Sequence, residues 1–483
     1  MILSRNEDPT TRPLLVETHD FHEITEVVSE VAERKPAPTW LLLFMFCGSL
    51  LLLLTGMLGY LFWRGVGVWG ENIPVGWGWD IINFVWWVGI AHAGTLISAI
   101  LYLCRQRWRT AIARLAEATT VFGLLCAGLY PACHIGRVWM VYYLFPLPNQ
   151  MALWPNMRSP LLWDVFAVTT YLTLSSLFWY MGMIPDLGTL RDRATGKIRP
   201  IVLGILSLGW RGSARHWLHY ERAYLILSAI ATSLVFAVSG IVSIDLAASK
   251  IPGWHTAIFP PYFVVGALYC GFAFVTAILI VTRQVFGFQH LIRTHHIENT
   301  TKFTLLLGNL IGYIYLMEIC IAWYSGDVYE RFAFWDRATG AYGWAYCIMI
   351  SCNVIIPQLL WFKKIRQKLL VVFIICFLIN IGMWFERFVI IISIHADFLP
   401  SSWHYYRPTY VDICTFIGTF GIFGSCFLLF LKFVPQIAIA EIKGIMPEAS
   451  PHPAAHKAHP PHTAHAHGSA KAHALTDHKH AAS

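Results

Sequence analysis

The chain has 483 residues, of which 57% are hydrophobic and only 13% are charged. Several apolar runs exceed the roughly 20 residues that cross about 30 Å of hydrocarbon, which excludes a soluble globular protein. The formal net charge of +8 reflects the unequal placement of Lys and Arg on the two sides of a membrane and does not indicate nucleic-acid binding.

The sequence divides into three regions. Residues 1–39 are polar and mixed in charge, without the pattern of a cleaved signal peptide, and are predicted to be a cytoplasmic arm. One polytopic all-α membrane domain is predicted over 40–435. Its ten transmembrane segments are 40–63, 80–103, 115–143, 160–184, 221–247, 258–284, 303–325, 342–363, 369–393 and 409–435. The region 436–483 carries nine of the 21 histidines amid Ala and Pro and is predicted to be a disordered cytoplasmic tail.

Lys and Arg placement sets the predicted orientation. With the N-terminus inside, 27 of the 35 Lys and Arg residues fall on the cytoplasmic side and six fall in the opposite loops. Retained cytoplasmic loops are enriched in these residues. We therefore predict that both termini are cytoplasmic.

A group of ionisable residues is predicted near the outer membrane surface. On the third segment, Tyr130, His134 and Arg137 follow an i, i+4, i+7 spacing, which places them on one helix face. The fourth segment returns inward from Asp164, at the same depth. A histidine beside a carboxylate can accept a proton from a bound hydroxyl group. The alternative interpretation is a structural ion pair between Asp164 and Arg137.

Further polar residues are predicted on the same side. Asp80 begins the second segment, Asp245 ends the fifth, and His255 lies in the loop that follows. His92 lies deeper, within GIAHAGT, where small residues are equally typical of close helix packing.

A second polar set lies in the later segments. It includes Glu318, Asn353, Glu386 and Arg387, and we consider it a possible proton or water path. Glu386 and Arg387 are adjacent, so they are expected to point in different directions and not to form a simple pair.

Cofactor signatures are missing from the sequence. The eleven cysteines form no CxxC or CxxCH, and there is no GxGxxG, GxxxxGK[ST] or HExxH. We therefore predict that this chain ligates no haem, iron–sulfur cluster or metal. A hydrophobic cavity with a few polar groups suits an apolar molecule with polar ends.

Ordered stretches of the sequence carry a family resemblance. GIAHAGTLISAIL, CHIGRVW, RSPLLWD and SIDLAASKIPGWHTAIFPPYFVVGA closely resemble the larger NrfD-like membrane subunit, of the polysulphide reductase type, of bacterial alternative complex III. The resemblance covers about residues 40–435. It implies a bacterial inner-membrane location, two four-helix bundles plus two additional helices, no bound haem or metal, and a quinol site toward the outer side.

The resemblance also implies partners and residue roles. The expected partners are a periplasmic iron–sulfur subunit, a multihaem c-type cytochrome subunit, a second NrfD-like membrane subunit and a terminal oxidase. By this resemblance, His134 and Asp164 match the quinol-site residues of the family, and Arg137, Asp80 and Asp245 are expected to lie beside them in the site. On this hypothesis menaquinol is oxidised, His134 receives its hydroxyl proton, Asp164 orients His134, and Arg137 keeps Asp164 ionised.

Two other function classes remain open at this point. A dihaem b-type cytochrome that oxidises quinol needs histidine pairs at matching depth, and here only His92 and His134 lie well inside early segments. A proton-conducting secondary transporter would typically show inverted repeats and polar residues at the midplane. The polar residues of this chain cluster instead toward one membrane face.

The predicted orientation can be tested by chemical labelling. Cysteines introduced at position 75 and in the C-terminal tail should react with impermeant reagents from opposite sides of sealed membranes. Reaction of both from the same side would contradict the odd number of spans, nine, that the predicted segments place between the first outer loop and the tail.

Overall fold

The computed structural model describes residues 20–72, 75–144, 160–393, 405–446 and 449. The chain divides into two units, Met1–Lys443 and Gly444–Ser483. The predicted disorder of the histidine-rich tail falls almost entirely outside the described residues, as does the first half of the predicted N-terminal arm.

The described residues are helical and contain no strand. The α-helices are α1 Phe21–Glu33, α2 Pro38–Arg64, α3 Trp79–Leu103, α4 Ala113–His134, α5 Pro160–Arg193, α6 Ile198–Leu206, α7 Ala214–Ala247, α8 Phe259–Val285, α9 Thr294–Ser325, α10 Val328–Thr339, α11 Gly343–Ile350, α12 Lys363–Arg366, α13 Leu369–Phe388, α14 Tyr410–Phe433 and α15 Ile439–Gly444. Each of the ten predicted membrane segments corresponds to one long helix or helical run, which confirms the all-α membrane fold.

Nine helical runs in the described part of the chain are long and apolar enough to cross a membrane. The fourth predicted segment, 160–184, corresponds to α5, which is more polar and is not among the nine. Burial differs sharply along the series, because α3 is almost wholly enclosed by other helices whereas α2 exposes side chains such as Leu52, with 73% of its surface accessible. In hydrocarbon an exposed Leu is in its preferred solvent, so the exposed apolar surface of α2 faces lipid.

Helix contacts divide the membrane helices into two bundles and a pair. The helices α3, α4, α5 and α7 pack on one another, and α8, α9, α11 and α13 form a second group. The extensive contact between α3 and α8 joins the two bundles. The helices α2 and α14 pack closely together and lie outside both groups. This arrangement agrees with the expected two four-helix bundles plus two additional helices.

The third predicted segment ends earlier than expected. Helix α4 stops at His134, and Gly136 has a φ of +72°, in the left-handed region that favours glycine. Arg137 therefore lies beyond the helix, and its predicted place on the same helix face as Tyr130 and His134 is wrong.

The predicted tail begins with an ordered segment. Its first residues include α15, in which Ile439 and Ile442 are buried. Arg109 pairs with Glu441 at 2.9 Å, and the backbone N–H of Ala440 donates to Asp186 Oδ1 at 3.3 Å. These polar contacts hold the stretch against the turn before α4 and the C-terminal half of α5.

Two helices of the second bundle continue into π-helical turns. These turns are Ser351–Ile355, which contains Asn353, and Val389–Ser393, which directly follows Glu386 and Arg387. A π turn inserts a residue into the helix ladder and re-aims neighbouring side chains, and such turns occur frequently at functional sites. Both turns lie next to the second polar set.

Position 75 is a poor choice for topological labelling, because Val75 is buried. Gly76 is exposed in the same loop, and a side chain there would meet no atom within 4 Å. A cysteine at position 76 is therefore the better outer-loop probe.

Glycine packing between α3 and α4 can be tested by substitution. A Cβ at Gly94 would overlap the Ala116 carbonyl oxygen and the Thr120 hydroxyl group. We expect Gly94→Ala to reduce the stability of the folded chain by about 1 to 3 kcal/mol, as overpacking does, measured as thermal unfolding in detergent. Gly128→Ala is the control, since its Cβ would meet no neighbour within 4 Å. Equal effects of the two substitutions would contradict close packing at Gly94.

Candidate functional site

The N-terminal end of α3 and the C-terminal end of α4, which are the outer ends in the predicted orientation, bring a histidine and a carboxylate into direct contact. Asp80 lies in the first turn of α3 and His134 is the last residue of α4, so the antiparallel helices place both at one level. His134 Nδ1 is hydrogen-bonded to Asp80 Oδ2. Because a carboxylate only accepts, Nδ1 carries the proton and Nε2 is left as the acceptor nitrogen.

The surroundings of this pair are asymmetric. Asp80 is 4% exposed, whereas the His134 side chain keeps 27% of its surface accessible. The indole ring of Trp69 stacks on the imidazole at a centroid distance of 6.4 Å. The arrangement thus has a buried carboxylate that orients a partly accessible imidazole.

A second carboxyl group, Glu71, completes the outer cluster. The ligand atoms of Glu71, Asp80 and His134 lie within 4.8 Å of one another. Burial, and next the negative charge of Asp80, raise the pKa of Glu71 to about 9, so this loop carboxyl keeps its proton near pH 7. One histidine and two carboxyl groups at this spacing could also hold a divalent metal ion.

Sequence reasoning missed Glu71. It lies in the loop between α2 and α3, in WGENIP, where an acidic residue carries no periodic signal. Only the folding of the loop over the start of α3 brings Glu71 to Asp80.

The loop that carries Glu71 is held by the first turn of α14 and the segment before it. Asp412 Oδ2 accepts hydrogen bonds from the Gly70 N–H at 3.0 Å and the Thr409 N–H at 2.7 Å. The N–H of Trp79 donates to the Tyr406 hydroxyl at 3.1 Å. A Cβ at Gly70 would overlap the Arg407 carbonyl oxygen, so this close approach requires glycine.

The expected contact between His134 and Asp164 is not formed. The carboxyl group of Asp164, at the start of α5, lies within hydrogen-bonding reach of that of Asp245, at the end of α7. Two adjacent carboxyl groups cannot both be ionised without strong repulsion, so such a pair shares a proton. In the described chain no ion pair joins Arg137, which is exposed, to Asp164.

The other predicted outer residues lie around the cluster without joining it. Tyr130 is buried one turn before His134. His255 is exposed in the loop after α7, and its Nδ1 is bonded to the Ser249 carbonyl oxygen at 2.9 Å. His92 is fully buried twelve residues beyond Asp80 on α3, which is about 18 Å of helix rise. Its Nδ1 is bonded to the Val88 carbonyl oxygen, and its ring packs on Tyr171.

The second polar set forms a connected group in the second bundle. Glu386 accepts from the Tyr315 hydroxyl and pairs with Arg387, so the expectation that these adjacent residues do not pair is wrong. The long guanidinium side chain folds back along its own helix to reach its neighbour. Asn353 Nδ2 donates to the Tyr315 hydroxyl at 3.0 Å. Glu318 is buried in α9 of the same bundle.

A third buried polar group lies in the half of the first bundle that the predicted orientation places toward the cytoplasm. Glu117 accepts hydrogen bonds from Ser98 and from the Tyr224 hydroxyl, and Arg114 pairs with Asp186 at 2.8 Å. The sequence signal for this buried polar face was the i, i+3 spacing of two charged residues, Arg114 and Glu117 in ARLAE. Sequence reasoning missed it because the pair is equally typical of a solvent-exposed helix end.

Comparisons with known proteins extend over most of the chain. The protein family described as polysulphide reductase, NrfD, matches residues 67–396. A protein of Halobacterium salinarum, described as a putative membrane subunit of dimethyl sulfoxide reductase, is 23% identical over 425 residues. That alignment covers 79% of this chain and 90% of the relative.

The protonation of Glu71 predicts a pH dependence of stability. The unfolded chain loses this proton near the ordinary pKa of 4.5, whereas the folded chain keeps it to about 9. Between these values the unfolded state binds fewer protons, so the free energy of unfolding falls as the pH rises. We expect Glu71→Gln to reduce the slope of thermal stability against pH between about pH 5 and 9, measured in detergent.

The control for this experiment is Glu221→Gln, which changes an exposed carboxyl group on the opposite side of the membrane domain. It should leave the slope of stability against pH unchanged. An identical slope for Glu71→Gln and the unmodified chain would show that Glu71 is ionised in the folded state.

Proposed function

The chain belongs to the NrfD polysulphide reductase family, and from this premise we propose that it is the quinol-binding membrane subunit of an oxidoreductase complex. The observation that carries the proposal is the His134 and Asp80 pair beside Glu71, at the ends of two membrane helices. A quinol has an apolar body and two hydroxyl groups, so it needs an apolar route and a polar end point.

The proposed reaction is oxidation of menaquinol near the periplasmic face. A quinol gives up two electrons and two protons, and each hydroxyl must lose its proton before or with electron loss. His134 Nε2 accepts a hydroxyl proton, while the buried Asp80 carboxylate orients the ring and stabilises the imidazolium that forms. Asp80 thereby takes the orienting role that the sequence had assigned to Asp164.

The remaining carboxyl groups have supporting roles in this proposal. Glu71 keeps a proton beside Asp80 and limits the negative charge in the cluster. Asp164 and Asp245 form a separate carboxyl pair at the ends of α5 and α7, and we propose this pair as the next acceptor for protons that leave the site. Proton release toward the periplasm follows from the predicted orientation.

The electrons leave this chain for a partner protein in the proposed complex. We propose a periplasmic iron–sulfur subunit as the acceptor, followed by a multihaem c-type cytochrome subunit. A second NrfD-like membrane subunit and a terminal oxidase complete the assembly. These partners rest on the resemblance to alternative complex III. The dimethyl sulfoxide reductase name of the relative supports the coarser role of a membrane subunit in a redox complex.

Coupling to proton translocation is a second proposed activity. The connected set of Glu386, Tyr315 and Asn353 supports it, because these groups form continuous hydrogen bonds inside the second bundle. Buried ionisable residues in membrane helices typically mark ion or proton paths.

Substitution of the pair tests the proposed chemistry. His134→Ala and Asp80→Asn should each lower quinol-dependent electron transfer by about 10² to 10⁴-fold, the usual contribution of a positioned base. Asp164→Asn should also lower the rate, because it neutralises one member of the carboxyl pair. The measurement is steady-state reduction of the acceptor protein by the assembled complex, normalised to its haem and iron–sulfur content.

The matched control is His219→Ala, which removes an exposed histidine from the opposite side of the membrane domain and should leave the rate unchanged. Rates near the unmodified value for both His134→Ala and Asp80→Asn would contradict the assignment of this pair to quinol oxidation. So would a quinol analogue bound only in the second bundle near Glu386.

A further inference from the structure

A large apolar cleft lies beside α3, and its lining includes Trp79 but none of the three residues of the outer cluster. Its volume is about 890 Å³, and its walls come from α3, α8, α13, α14 and the start of α2. The lining of α14 runs from Phe416 to Lys432, about 24 Å of helix rise. The cleft therefore follows most of the roughly 30 Å thickness of a bilayer.

Two of the tryptophans that line the cleft, Trp86 and Trp384, present apolar surface to it. The Trp86 indole N–H donates to the Asn380 carbonyl oxygen at 3.1 Å, and the Trp384 indole N–H donates to Asn83 Oδ1 at 2.8 Å. These two indoles satisfy their polar group within the protein, so their rings offer hydrocarbon-like faces to an occupant.

One end of the cleft is basic. Arg34, Lys35 and Lys432 line it, and no ion pair joins any of them to a carboxylate in the described ranges. The neighbouring Glu33 is held by Arg193 at 3.0 Å. Lys432 donates to the Arg34 carbonyl oxygen, which fixes its ammonium group at the cleft mouth. The three positive charges therefore remain available to an anion.

An interfacial tryptophan marks the same level. Trp40 lines this end, its indole N–H donates to the Leu428 carbonyl oxygen at 3.1 Å, and its ring stacks on Phe44 at 5.1 Å. Tryptophans prefer the headgroup level of a bilayer. The basic end thus lies where the phosphate of a membrane lipid lies, and the cleft continues from it into the hydrocarbon.

We propose that this cleft binds an anionic phospholipid. The phosphate of the lipid lies among Arg34, Lys35 and Lys432, and an acyl chain extends along the aromatic wall formed by α13 and α14. The lipid comes from the leaflet that faces the N-terminal end of α2. Charge complementarity favours an anionic over a zwitterionic headgroup. Each basic residue near an anionic lipid headgroup raises the binding affinity by about fivefold.

Photolabelling of the reconstituted complex tests the lipid site. Phosphatidylglycerol and phosphatidylcholine, each with a diazirine in the acyl chain, are supplied separately, and the labelled peptides are identified by mass spectrometry. Phosphatidylglycerol should label α13 and α14 peptides around Phe377 and Phe427 at least about fivefold more than phosphatidylcholine. High salt should reduce this preference, because it screens exposed charges.

Two variants separate the headgroup from the chain. Arg34→Gln, Lys35→Gln and Lys432→Gln together should bring the two labelling yields close to equality. Ala277→Trp, which adds bulk to the cleft wall, should lower labelling by both lipids. The control combines Arg105→Gln, Arg107→Gln and Arg211→Gln, three exposed cations on the same side of the membrane, and should keep the preference.

Three results would overturn the proposal. They are equal labelling by the two lipids in the unmodified complex, a preference unchanged by loss of the three cations, and cleft labelling by a photoreactive quinone that excess phosphatidylglycerol does not reduce. None of these readouts depends on electron transfer, so the lipid site can fail without affecting the proposed quinol chemistry.

Discussion

The structure depends on one constraint, which is that hydrocarbon offers no hydrogen-bond partner to a polar group. Every backbone N–H and carbonyl inside the membrane must be paired locally, and this requirement accounts for the helical fold of the described chain. Each ionisable side chain must also find a protein partner. The pairs between His134 and Asp80, Arg114 and Asp186, and Arg387 and Glu386 satisfy it.

The same constraint explains where the candidate chemistry lies. Helix ends are the places where backbone groups are unpaired and loops can enter, so polar residues collect there at a lower cost than at the midplane. Asp80 and His134 occupy the ends of two antiparallel helices, and the Glu71 loop folds over them. A mid-helix histidine such as His92 has to use a backbone carbonyl of its own helix instead.

The cleft and the outer cluster show two different uses of aromatic residues. At the cluster, the ring of Trp69 stacks on the His134 imidazole. In the cleft, Trp86 and Trp384 turn their N–H groups into the protein and leave apolar ring faces outward. The high aromatic content of the chain therefore reflects more than membrane-interface belts, because many of these rings line internal surfaces.

Hydropathy along the chain determined the number of membrane segments, because a run of apolar residues has one stable form in lipid. The resemblance also pointed correctly to two bundles and an extra helix pair. The partners of charged residues were decided only by tertiary structure. His134 pairs with Asp80 and not with Asp164, since the close antiparallel packing of α3 and α4 brings the start of one helix to the end of the other. The spacing of residues in the sequence determines which side chains are neighbours on one helix. Contacts between helices depend on the rotation and tilt of each helix, which only the packed fold determines.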